Sequence, residues 1–66
     1  MGRTISAKDA VRALERAGFR FDRQSGSHAI LKHPDGRWVP VPMHSGDLKP
    51  GTLRQIEKLA RITLSA

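Results

Sequence analysis

The chain opens with an apolar stripe at helical spacing. Ala7, Ala10, Val11, Leu14 and Ala17 recur three and four residues apart, which gathers them on one face of an amphipathic helix. Ser6 stands just before the stripe and Asp9 three residues after it, close to a capping box with acid in the first turn. Gly18 suits a left-handed helix stop. The pattern predicts a helix over 7–17. The period then changes to two. Phe19 and Phe21 alternate with Arg20 and Asp22, the signature of a half-buried strand over about 19–23. Ser25-Gly26 marks a turn. A second strand over 27–32 sets Ala29 and Leu31 on one face and His28 and Ile30 on the other. His33-Pro34-Asp35-Gly36 is a further turn, because Pro restricts φ and Gly accepts a positive φ. It leads into a third strand over 37–41, with Val39 and Val41 opposite Trp38 and Pro40. Pro40 has no N–H to donate, which places this strand at an edge. After a polar loop from Met43 to Lys49, Leu53, Ile56, Leu59 and Ala60 define a second helix over about 51–60. Its opposite face carries Arg54, Lys58 and Arg61. The tail from Ile62 to Ala66 is short and expected to fray.

The order α-β-β-β-α predicts an α+β fold, with a three-stranded antiparallel sheet and both helices on one of its faces. The expected core is Val11, Leu14, Phe21, Leu31, Val39, Val41, Leu53 and Ile56, each on the apolar side of its element. With 66 residues the chain is read as a single domain over 1–66. Two Phe and one Trp are its only aromatic residues, enough for a thin two-layer core and too little for an enclosed small-molecule cavity. Cysteine is absent, which excludes disulfides and thiolate metal sites. No apolar run approaches the roughly 20 residues of a membrane span, and no secretory signal is visible. A cytoplasmic location is expected.

Charge sharpens the picture. Twelve Lys and Arg stand against six Asp and Glu, a net charge of +6, which points to a polyanionic partner such as nucleic acid or an acidic protein. The cations run evenly from Arg3 to Arg61, as on a folded basic surface and unlike a disordered arm. Lys49, Thr52 and Arg54 cluster where the second helix begins, and the open amides and dipole of a helix start attract phosphate. Helix, sheet and basic helix is also the order of double-stranded-RNA-binding domains, which read A-form shape through 2′-hydroxyls and phosphates. Of the three histidines, His33 lies in a turn, His44 in a Pro- and Gly-flanked loop, and His28 at the start of a strand. None has a second ligand at a spacing that converges on a metal. An imidazole titrating near about 6.5 can move a proton at neutral pH. Spacing alone does not separate that role from a structural one.

Four linked blocks carry a resemblance. Gly26-Ser27-His28, His33 to Arg37, Val41 to Gly46 and Leu48 to Ile56 are similar to HicA toxins, and the similarity runs from the first helix to Ala60. The resemblance implies a double-stranded-RNA-binding-like fold and the toxin half of a type II toxin–antitoxin pair. It also implies cleavage of messenger RNA without metal or other cofactor, His28 as the catalytic residue, and a HicB-like antitoxin as partner. Ser27 and His44 are the candidates for a second catalytic or substrate-positioning group. Lys49, Thr52, Arg54, Lys58 and Arg37 are expected to hold RNA, and an acidic antitoxin is expected to compete for the patch around His28, Lys49 and Arg54. One departure is Arg61, where the family usually carries glycine. A non-catalytic module binding double-stranded RNA accounts for fold and charge equally well.

Overall fold

The computed structural model describes residues 4–44 and 46–64. Arg3 of the basic set, Ser45 of the Val41–Gly46 block, and Ser65 and Ala66 of the tail lie outside the described residues. The elements are α1 (Ala7–Arg16), β1 (Arg20–Ser25), β2 (His28–Lys32), β3 (Trp38–Pro42) and α2 (Pro50–Ala60), in the order α-β-β-β-α. Ser6 caps α1, its Oγ accepting the Asp9 N–H at 3.1 Å. At the other end Gly18, at φ +101°, allows a paired stop: its N–H donates to the Glu15 carbonyl and the Phe19 N–H to the Leu14 carbonyl, each at 3.0 Å. Leu14 and Phe19 both enter the core, the apolar accompaniment usual for this stop.

The sheet runs β1-β2-β3, antiparallel throughout. Pro40 therefore lies on an edge strand, as its missing donor requires. Both helices share one core with the sheet face formed by Ala29, Leu31, Val39 and Val41. The opposite face carries His28, Ile30 and Lys32 of β2 against Pro42, Pro40 and Trp38 of β3.

Two expectations are corrected. Phe21 was assigned to the core but is 54% exposed, and Phe19, 2% exposed, takes its place. Phe21 pairs with Leu31, so it faces the helical side. Yet β1 is exposed along its whole length, and Phe21 lines an open cleft at the end of α1 with Glu15 and Pro34. A bulge at Asp22 breaks the register of β1 just beyond. The tail is the second case. Leu64 is buried and its N–H donates to Glu57 Oε2 at 2.7 Å, so the chain is anchored to that point. Of the remaining expected core residues, Val11 is half-buried and the other six are buried. Ile5 and Leu48 join them from loops, tied together by a bond from the Leu48 N–H to the Ile5 carbonyl at 2.8 Å.

Candidate active site and nucleic-acid interface

The turn before β2 sets up the site. Gly26 takes φ +60° in a two-residue hairpin loop, a conformation glycine adopts without strain. Ser25 thereby pairs directly with His28. His28 also pairs with Pro42 on its other side, and the Met43 N–H donates to the Ser27 carbonyl at 2.7 Å. That bond carries the ladder one step past β3, so Met43 is held against Ser27. The loop returning to α2 is pinned in turn by Leu48 and by a bridge between Ser6 and Asp47.

Helix α2 starts bare. Its cap residue Lys49 is extended (φ −68°, ψ 149°), no side chain caps it, Pro50 occupies the first turn, and no acidic residue stands there. Gly51 and Thr52, in this first turn, line two adjoining clefts, Gly51 one of them and Thr52 both. One, of about 400 Å³, is lined by His44, Asp47 and Lys49. The other, of about 320 Å³, is lined by His28, Gly51, Gln55 and Leu59. Pro42 and Thr52 line both. The two clefts form one groove between the start of β2, the end of β3 and the first turns of α2. A family model for the HicA toxin of bacterial toxin–antitoxin systems matches residues 7–62.

The chain belongs to the HicA toxin family. It is the toxin of a toxin–antitoxin system. The match begins at the first residue of α1 and ends beyond α2, so every element that builds the groove lies inside it. Among curated proteins none matches the chain.

In this HicA toxin the groove brings together His28, His44, Lys49 and Thr52, with Ser27 attached through its backbone. Arg54 and Lys58 are exposed and border it, since Arg54 is the i+3 neighbour of Gly51 and Lys58 of Gln55 on the same helix. Asp47 is the carboxylate among the lining residues. Gln55 was missed in the sequence. Its position three after Thr52 on a helix was the available signal, because such residues share a face.

Arg37 stands apart. Its guanidinium donates to Asp35 (Nε to Oδ2, 2.8 Å) and to the carbonyl of Ala60 at the end of α2. It also lies over the Phe19 ring, 5.1 Å from its centroid. His33 meets the same ring edge-on at 5.0 Å. The Asp35 carboxylate, accepting the Arg37 backbone N–H, is held below its ordinary value chiefly by that bond; burial opposes the shift and the guanidinium adds to it. This cluster locks the β2–β3 turn to the far end of α2. Among the described residues no three His, Asp or Glu side chains gather as around a metal ion, and no helix is long and apolar enough to cross a membrane.

Proposed function

We propose that this HicA toxin is a single-domain, metal-independent endoribonuclease that cleaves messenger RNA in the cytoplasm, with His28 as general acid or base. The observation that carries this reading is the groove shared by His28 and the uncapped start of α2. A phosphate seated on the Gly51 and Thr52 amides would be held by the helix dipole and by Lys49, within a cleft that His28 lines.

RNA brings its own nucleophile. The 2′-hydroxyl gives its proton to a base and its oxygen attacks the adjacent phosphorus. The 5′-oxygen leaves and takes a proton from an acid, which yields a 2′,3′-cyclic phosphate and a 5′-hydroxyl. The protein therefore has to supply proton transfer and charge stabilisation. A positioned imidazole contributes about 10²–10⁴-fold, and preorganised donors on the phosphate oxygens stabilise the developing charge. His44, in the adjoining cleft, is the partner assigned to the second proton, with Ser27 and Thr52 positioning substrate and Arg54 and Lys58 holding flanking phosphates. A HicB-like antitoxin with acidic side chains would cover the same groove, and salt would slow that association.

The test is His28→Ala. His28 is exposed, so its loss should cost within about 0.5 kcal/mol of stability while RNA cleavage falls at least 10²-fold. Chelator should leave the wild type unchanged. Full cleavage by folded His28→Ala protein would overturn the assignment, and a wild type that binds RNA without cutting it would leave the non-catalytic module.

A further inference from the structure

We propose that the sheet face turned away from the helices is a binding platform for single-stranded RNA, with Trp38 as the side chain on which an unpaired base stacks. The inference rests on the reading of the chain as a protein that acts on RNA, and extends it from the edge of this face that lines the groove, at His28 and Pro40, to the far row that holds Trp38. Trp38 is 54% exposed, although Val39 and Val41 beside it are fully buried. Strand alternation turns it outward, and its cross-strand partner is Lys32, which pairs in turn with Arg20. One row across the sheet thus reads Arg20, Lys32, Trp38. The next pairs Arg23, Ile30 and Pro40.

Charge on this side is lopsided. Asp22 lies 2.6 Å from Arg23 and 3.6 Å from Lys32, so one carboxylate serves two cations and Arg20 adds a third. An aromatic face beside surplus cations is the composition of single-strand binders, in which bases stack and Lys or Arg track the backbone. A protein-docking centre would instead be depleted of charge.

Continuity with the groove supplies the geometry. His28 lies on the same strand and the same face as Lys32, four residues away, or about 13 Å along β2. A strand of RNA whose scissile phosphate sits at His28 would therefore run along this face, past buried Ile30, and reach Trp38 a few nucleotides on. Only unpaired bases can do this, since duplex bases are stacked on one another and offer edges and backbone alone.

Trp38 is the single tryptophan of the chain, so its emission reports on this face. The experiment titrates wild-type protein with a 2′-O-methyl oligonucleotide of mixed sequence, which lacks the attacking hydroxyl and stays intact. Saturable quenching by the single strand, absent with the corresponding duplex, is expected. Trp38→Ala should weaken binding of a dye-labelled single strand by about 5- to 150-fold, raise KM for cleavage and leave kcat and the melting curve in place. Trp38→Phe should restore most of the affinity. Lys32→Glu, exposed and on the same row, should weaken binding as well. Binding detected by anisotropy with no change in Trp38 emission would overturn the platform. So would unchanged affinity in folded Trp38→Ala, or emission that responds to an acidic protein and not to RNA. Quenching by single strands in a protein that cleaves no RNA would support the platform while removing the nuclease reading.

Discussion

Replacing Arg37 by Met separates a structural cation from an RNA ligand. The variant keeps the apolar stem and deletes the guanidinium, whose side chain is 16% exposed and so only weakly screened. Two contacts set the size of the effect. A charged donor on the Ala60 carbonyl contributes about 1.5–3 kcal/mol, and the cation over the Phe19 ring about 0.5–1 kcal/mol. Both belong to one group and do not add fully, so the expected loss is about 2–3 kcal/mol. At roughly 0.05–0.15 kcal/mol per residue the whole domain is stable by only about 3–10 kcal/mol. With about 4–8 °C per kcal/mol for a domain this small, the melting temperature should fall by roughly 8–24 °C. Circular dichroism melts of wild type, Arg37→Met, Arg37→Lys and the exposed control Arg54→Met would measure it. Lysine keeps the charge but not the planar fork, so Arg37→Lys should fall between the extremes. At a temperature where all are folded, Arg54→Met should lose more RNA affinity than Arg37→Met. If Arg37→Met melts like the wild type and binds RNA poorly, the clamp is refuted and Arg37 returns to the RNA contacts.

The two helix ends and the turn carboxylate offer further checks. Arg61 ends α2 at φ 58°, ψ 36°, a conformation that costs a side chain about 1–2 kcal/mol. Arg61→Gly, less the roughly 0.5–1 kcal/mol of extra chain entropy, should raise stability by about 0.5–1 kcal/mol in urea titration; a loss would mean that the arginine side chain holds the helix end. Gly18→Ala should do the reverse, by about 1–3 kcal/mol, because a Cβ there would lie 2.9 Å from His33 Nε2 at φ +101°; a wild-type urea midpoint would show that the turn yields freely. Asp35 has its carboxyl depressed from 3.8, so on acidification the unfolded chain takes up its proton first. The stability it contributes is present above the unfolded value and disappears as pH falls through the lower folded one. Melting temperatures followed from about pH 7 to 2 should therefore show a decline below about pH 4 that Asp35→Asn blunts, and equal acid slopes in the two proteins would contradict it.

Local signals carried most of the fold. The Ser6 cap, the Gly18 stop, the two hairpin turns, the edge position of Pro40 and the stripe of α2 are each decided within a few residues, and each is visible in the residues concerned. Choosing between Phe19 and Phe21 was not of this kind. A period of two says that alternate residues share a face, but how far two short helices extend over that face depends on their assembly. Ile5, Leu48 and Leu64 had no period to declare them, because they enter the core from irregular segments. The site divides in the same way. The Gly-Ser-His block singled out His28, and the bare start of α2 was legible from Lys49-Pro50-Gly51-Thr52, where no acidic residue or side-chain cap occurs.

The order of elements, the sign of the surface charge and the residue types available for chemistry thus follow from the chain alone, since propensity, capping and turn geometry act between near neighbours. Which of those residues meet depends on the assembled fold. The pairing of His28 with Pro42 makes the clefts of His28 and His44 neighbours, with Pro42 and Thr52 lining both. The β2–β3 turn carries Arg37 to the last carbonyl of α2, outside the two clefts that His28 and His44 line. Trp38 remains in solvent because both helices pack on the opposite face of the sheet. These outcomes depend on register and on which face is covered, and both are settled only when distant segments bury their apolar sides together.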